Sequence, residues 1–107
     1  MSKPPVHGVA CSVVGADKLP AEIGGADSVC RIIRAAAEPA AAERGQAATI
    51  VVEVVAPSAA VAQVTMADGR RLVPARIDVS DRSLNARAIE MLAKAAADQI
   101  RAGSIKK

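Results

Sequence analysis

An Asp-Gly pair between two alternating segments is the feature that most constrains how this chain can fold. Apolar and polar residues alternate over residues 60–67, and again over residues 71–79 after Asp68-Gly69. Asp-Gly marks a tight hairpin, because both central residues of a type I′ turn adopt positive φ. The pattern therefore predicts two adjacent antiparallel strands. Pro74 lies inside the second strand and cannot donate to a ladder, which predicts an edge strand or a bulge there.

Two further strands are predicted upstream of the hairpin. The β-branched run at residues 49–55, bounded by Pro57-Ser58, is typical of a strand. At residues 6–14, larger apolar residues alternate with glycine, alanine and serine, which predicts a half-buried strand. Residues 15–25 hold three glycines and a proline, and are expected to form a loop.

The first predicted helix follows that loop. From residue 26 onward the apolar residues recur at helical spacing, with Gly25 or Asp27 as the N-cap. Pro39 is expected to end or kink the helix, because its ring removes a backbone donor and restricts the preceding residue. Residues 40–44 could resume the helix for one turn before Gly45 stops it.

The second predicted helix occupies the C-terminal part of the chain. Its apolar residues also recur at helical spacing, opposite a charged face. Asn85 as N-cap would place Leu84 and Ile89 at the two positions of a hydrophobic staple. Asp81 and Ser83 are the alternative N-caps.

These elements predict one α+β domain spanning residues 1–107, with an ordered core at residues 5–103 and a tail at residues 104–107. The order β-α-β-β-β-α is typical of a two-layer sandwich, in which two helices share one face of a four-stranded, mostly antiparallel sheet. In the competing arrangement one helix covers each face of the sheet.

The outer face of this sheet is expected to be apolar as well. Antiparallel sheets with one solvated face alternate cleanly between apolar and polar residues, whereas the run at residues 49–55 is apolar on both sides. The pattern predicts a homodimer through this face, unless a helix covers it. The apolar side chains that would face away from the helices are Val51, Val55 and Val61.

The composition argues against a dedicated nucleic-acid module. The chain contains no Phe, Tyr or Trp, and about a quarter of its residues are alanine, so it lacks the stacking platforms that bind single strands. Its net charge is only +3, from 14 basic and 11 acidic residues. Five scattered arginines could form one basic surface, although a solvated rim is favoured: Arg70, Arg71, Arg76, Arg82 and Arg87. No apolar stretch reaches the length of a membrane span.

The two cysteines predict a structural rather than a chemical role. Cys11 and Cys30 occupy the apolar phases of a strand and of the helix that packs on it, which favours a disulfide over two buried thiols. Their spacing is unlike a C-x-x-C redox motif, and the single His7 supplies too few ligands for a metal site. We therefore expect no enzymatic activity, no catalytic residue, no metal and no cofactor.

The following motifs are short but extend over most of the chain: Cys11, Leu19-Pro20, Gly24-Gly25-Ala26-Asp27-Ser28-Val29-Cys30, Asp68-Gly69, the Leu-x-Pro at residues 72–74, and Asp81-Arg82-x-Leu84-Asn85. Together they resemble small exported proteins of high-GC proteobacteria, a group with no assigned activity. The resemblance implies a mature periplasmic or secreted chain without its signal segment, and an oxidised cysteine pair. It carries over no catalytic residue.

The expected function is therefore a non-enzymatic interaction module of the cell envelope. Its expected partner is a second copy of the chain or an unidentified envelope protein. The alternative is a small cytoplasmic nucleic-acid-binding domain that uses the scattered arginines.

Overall fold

The computed structural model describes residues 8–79 and 83–102. The predicted element order is confirmed: the strands and helices are β1 (Val9–Val14), α1 (Ala26–Arg44), β2 (Ala48–Ala56), β3 (Ala59–Met66), β4 (Ala75–Asp78) and α2 (Ala86–Ala102). The expected loop after β1 holds two short 3-10 turns, at Ala16–Lys18 and Ala21–Ile23. The first two residues of the predicted 6–14 strand, His7 among them, and the predicted tail lie outside the described residues.

The four strands form one sheet in the order β1-β2-β3-β4. β1 pairs with β2 in parallel, and the two remaining pairs are antiparallel. The parallel pair follows from the crossover through α1, since two parallel neighbours cannot be joined by a tight turn. The predicted mostly antiparallel sheet with two helices is therefore confirmed, with β4 at one edge.

Both helices pack on the same face of the sheet. In β2, one phase is buried against the helices and consists of Ile50, Val52 and Val54. The side chains of Glu53 and Val55, in the opposite phase, are exposed. The arrangement with one helix on each face is therefore wrong for the described part of the chain. Alanine supplies much of this core, and its small side chain allows close packing without aromatic residues. The buried alanines of the two helices are Ala37, Ala40 and Ala41 in α1, and Ala88, Ala93, Ala96 and Ala97 in α2.

The loop between β1 and α1 returns close to the sheet. Gly15 has a φ of 80°, and a Cβ atom on it would lie 2.6 Å from the carbonyl oxygen of Val54. Only glycine satisfies both conditions without strain. The loop can therefore pass directly over the end of β2 before α1 begins at its N-cap, Gly25.

The hairpin between β3 and the segment leading to β4 differs from the predicted type I′ turn. The Gly69 amide donates to the Met66 carbonyl, and the Met66 amide donates to the Arg70 carbonyl. These bonds enclose three residues rather than two, with Gly69 in the left-handed region at φ 91°. Three-residue loops of this kind close with a glycine in that conformation. The Asp-Gly signal thus located the turn correctly but gave the wrong turn type.

The predicted strand at residues 71–79 is shorter in the structure. Arg71 forms an isolated bridge with Thr65, and regular pairing resumes only where Ala75 lies opposite Ala62. The chain thus advances four positions from Arg71 to Ala75 but only three from Thr65 to Ala62. The extra residue is that of a β-bulge. The Gln63 side-chain amide donates to the Leu72 carbonyl at 3.1 Å within this interruption. Both outcomes predicted from Pro74 are therefore found, because β4 is an edge strand and a bulge precedes it.

Helix α1 does not end at Pro39 and continues to Arg44. Pro39 has no amide hydrogen, so the carbonyl of Ala35 lacks the hydrogen bond that it would accept in a regular helix. Ala35 and Pro39 both lie on the exposed side of α1, where solvent can satisfy that carbonyl. The helix is retained because its buried side keeps its packing. The expected stop at Gly45 is confirmed, with φ 66°.

Helix α2 begins as predicted. The Asn85 Oδ1 accepts a hydrogen bond from the Ala88 amide at 2.8 Å, which makes Asn85 the N-cap. Leu84 and Ile89 on either side of this cap are both buried, as a hydrophobic staple requires. The alternative N-cap Ser83 is therefore wrong, and Asp81 lies outside the described residues.

We expect Asn85→Ala to lower the free energy of unfolding by about 1 kcal/mol, because the amide of the third helical residue loses its acceptor. Asn85→Asp is the matched control, since aspartate supplies the same acceptor and should cost little. Urea denaturation of both variants checks this. Equal losses for the two variants would contradict a capping role.

Candidate interaction surface

The Cys11–Cys30 disulfide joins β1 to α1. The two Cα atoms lie 5.6 Å apart, within the range of disulfide geometry, and the residues are separated by 19 positions. The predicted pairing is therefore confirmed. Cys30 is buried and Cys11 is partly buried, so the bond lies at the sheet–helix junction. Disulfides persist in oxidising compartments, and this one fits such a compartment.

The second feature is the sheet face opposite the helices, which we call the open face. It carries the outward-facing side chains of all four strands: Ala10, Ser12, Val14, Thr49, Val51, Glu53, Val55, Val61, Gln63, Thr65, Arg76 and Asp78. Four of these are valines, and we call them the valine patch: Val14, Val51, Val55 and Val61. Val14 and Val55 are 54% and 40% exposed, and the other two are partly exposed.

The predicted residues Val51, Val55 and Val61 therefore lie together on one surface. Val51 and Val55 flank Glu53 along β2, and Val61 pairs with Glu53 across the β2–β3 ladder. β2 is apolar in both phases because one phase is buried against the helices and the other contributes valines to the open face. The open face is nevertheless mixed, because it also carries these polar side chains: Ser12, Thr49, Glu53, Gln63, Thr65, Arg76 and Asp78.

One member of this surface, Val14, was missed by the sequence analysis. Val14 pairs in register with Glu53 across the parallel β1–β2 ladder, so it closes the valine patch on the β1 side. Val14 shares the outward phase of Ser12, a signal that was available from alternation alone. The neighbours of Glu53 across the ladders could not be read in this way, because they depend on which strands are adjacent.

The predicted arginines do not form one basic surface. Arg71 lies opposite Thr65 and Arg76 lies opposite Val61, four residues apart along β3. Arg87 is exposed in the first turn of α2, and Arg82 lies outside the described residues. Their spread along the sheet fits the solvated rim that the sequence analysis favoured.

Two of the arginines bond to carboxylates two positions away. The Arg70 Nε lies 2.8 Å from Asp68 Oδ2, and the Arg76 Nε lies 2.7 Å from Asp78 Oδ2. The backbone amide of Arg70 lowers the pKa of Asp68, and the hydrogen bond from Arg76 lowers the pKa of Asp78. Both aspartates are therefore held in the charged form, which offsets part of the positive charge expected here.

Other kinds of site find little support in the part of the chain that the structure describes. There, no group of three or more His, Cys, Asp or Glu side chains is placed to hold a metal ion. One open groove lies between the two helices and is lined by Ile32, Ala35, Ala36, Glu90 and Ala93. Neither of the two described helices combines the length and apolarity that crossing a bilayer requires.

No protein-family model, curated protein or solved structure matches the chain. Its role must therefore be inferred from the sheet, the valine patch and the disulfide.

Proposed function

We propose that this protein is a non-enzymatic interaction module of the cell envelope that forms homodimers through its open face. The observation that carries the proposal is the valine patch. Contiguous apolar side chains on the outside of a small domain usually mark a protein interface. Here they lie on the one sheet face that neither helix covers.

The energetic case rests on the burial of the valines. Each valine that a partner removes from water contributes about 1.5 kcal/mol or more. A two-fold dimer buries the patch of both copies with a single surface, because the same residues serve on each side. The open face also presents few long, flexible side chains, so little side-chain entropy is lost when it is covered.

The β4 edge of the sheet is less suited to association. Pro74 precedes β4, and the ion pair between Arg76 and Asp78 lies on it. Proline and charged residues are common devices that prevent edge-to-edge pairing. Joining two sheets through β4 is therefore disfavoured relative to packing face to face.

The envelope location is supported by the disulfide. A bond between the only two cysteines of the chain fits an oxidising compartment such as the periplasm. The resemblance to small exported proteins points the same way. A nucleic-acid partner is disfavoured because the chain has no Phe, Tyr or Trp for stacking and a net charge of only +3.

We expect Val61→Lys to weaken the dimer at least about 100-fold, because each of the two copies loses the burial of one valine and gains a charge in the interface. Light scattering at about 100 μM, where a micromolar dimer is nearly fully formed, checks this. Ala42→Lys, at an exposed position of α1, is the control and should leave the dimer intact.

Two results would contradict the proposal. A monomeric wild-type protein at that concentration would exclude self-association through any surface. A wild-type dimer that tolerates lysine at both Val51 and Val61 would show that another surface mediates it. Circular dichroism of each variant establishes that the fold is unchanged.

A further inference from the structure

We propose that the two copies meet about a two-fold axis that runs parallel to the strands and lies over β3, so that Glu53 of each copy pairs with the partner's Arg76. This inference rests on the proposed dimer and specifies how its copies are oriented. The juxtaposition that carries it is one row across the sheet, in which Val14, Glu53, Val61 and Arg76 are successive neighbours on four strands.

The surroundings of Glu53 dictate the chemistry of any partner. Val14 and Val61 flank this residue on the neighbouring strands, and Val51 and Val55 flank it along β2. A partner that covers Val51, Val55 and Val61 also removes water from the carboxylate beside them. Burying a charge without a counter-charge is strongly unfavourable. The partner surface must therefore present a cation to Glu53.

Within one chain, Arg76 bonds to Asp78 rather than to Glu53. Neighbouring strands lie about 4.8 Å apart, so two strand spacings place Arg76 about 10 Å from Glu53. Arg76 is nevertheless accessible, with a side chain 59% exposed. Asp78 accepts hydrogen bonds from the Nε and Nη2 atoms of Arg76 at 2.7 and 3.5 Å. A guanidinium has five N–H donors, so it can hold a second carboxylate while Asp78 orients it.

The row is self-complementary about its third member. β2 and β4 lie on opposite sides of β3, each one strand away. A two-fold rotation about an axis along β3 therefore exchanges the positions of Glu53 and Arg76. It places Glu53 against the partner's Arg76, and Arg76 against the partner's Glu53, in a single arrangement. Val61 then meets the partner's Val61 between the two ion pairs, as an isologous interface requires.

Charge also argues against the neighbouring axis. An axis along β2 would place Glu53 against the partner's Glu53. Two like charges buried face to face are unfavourable, and the valines around them exclude the water that could screen them. The axis over β3 avoids this contact and satisfies both carboxylates.

Charge reversal tests the pairing. Glu53→Arg and Arg76→Glu are each expected to weaken the homodimer at least about 100-fold, because every copy then faces its partner with like charges. An equimolar mixture of the two variants should restore dimers. In the mixed pair, one copy carries two arginines and the other two glutamates, so both ion pairs form again. Native mass spectrometry identifies the heterodimer by its mass.

A matched control tests whether the effect is specific to Arg76. It uses Arg71, which lies opposite Thr65. Arg71→Glu mixed with Glu53→Arg should form heterodimers far less readily than Arg76→Glu does, because only one Glu53–Arg76 pair forms and Arg76 of the Arg71→Glu variant faces the introduced arginine. Restoration by Arg71→Glu instead of Arg76→Glu would overturn the proposed axis.

The outcomes also distinguish this inference from the proposed function. A monomeric wild-type protein would remove both. A wild-type dimer that Val61→Lys dissociates, but that tolerates Glu53→Arg or is not restored by mixing, would leave the valine interface in place and overturn the Glu53–Arg76 pairing. Both charge variants replace exposed side chains, so each monomer should retain the wild-type circular dichroism spectrum.

Discussion

Replacing Cys11 and Cys30 together by alanine is expected to lower the free energy of unfolding by about 3 kcal/mol. The disulfide closes a loop across 19 positions, and the chain-entropy model gives about this value for a loop of that size. For a domain of about 100 residues, such a loss lowers the midpoint of thermal unfolding by roughly 10 to 20 °C. Denaturant unfolding of the oxidised wild-type protein and the variant measures the difference.

The wild-type protein itself provides the control for this prediction. Reductant should destabilise the wild-type protein to a similar degree and leave the double alanine variant unaffected. Mass spectrometry of the unreduced, denatured wild-type chain should show the loss of the two thiol hydrogens. Freely titrating thiols in correctly folded wild-type protein would contradict the disulfide.

Truncation of the core should have an effect of comparable size. Leu92 in α2 is 1% exposed and belongs to the hydrophobic core. We expect Leu92→Ala to lower the free energy of unfolding by about 2 to 5 kcal/mol, because buried methyl groups are lost and a cavity is left behind. The alanine-rich surroundings have few long side chains that could move into the space, which favours the upper part of that range.

The adjacent residue is the matched control for Leu92. Met91 lies on the same helix and is 57% exposed. Met91→Ala should change the free energy of unfolding by no more than about 0.5 kcal/mol, the usual range for surface positions. Thermal and urea denaturation of both variants tests the difference. Similar losses at the two positions would mean that α2 does not present its Leu92 side to the core.

The disulfide and the valine patch have different roles in this structure. The disulfide lies at the junction of β1 and α1, on the helix side of the sheet. The valine patch lies on the opposite side. Loss of the disulfide is therefore expected to act on folding, whereas Val61→Lys is expected to act on association. Measuring both properties in both variants separates stability from the proposed function.

Local patterns in the sequence determined most of the elements. Alternation identified three strands and a β-branched run the fourth, helical spacing identified both helices, and Asn85 was recognised as the start of α2 because its cap depends on residues within one turn. The apolar phases of β1 and α1 were sufficient to predict the Cys11–Cys30 bond. The same reasoning identified a valine-rich outer face, because alternation along a strand assigns each residue to one face or the other.

Other features were decided only by tertiary structure. Helix α1 continues through Pro39 because that residue lies on the exposed side of the packed helix, which no local rule specifies. The type of the hairpin turn and the short β4 depend on the register that the whole sheet adopts. Alternation states which face a residue occupies but not which residues stand beside it. Glu53 lies between Val14 and Val61, in a row with Arg76, only because strands remote in sequence pair in one register.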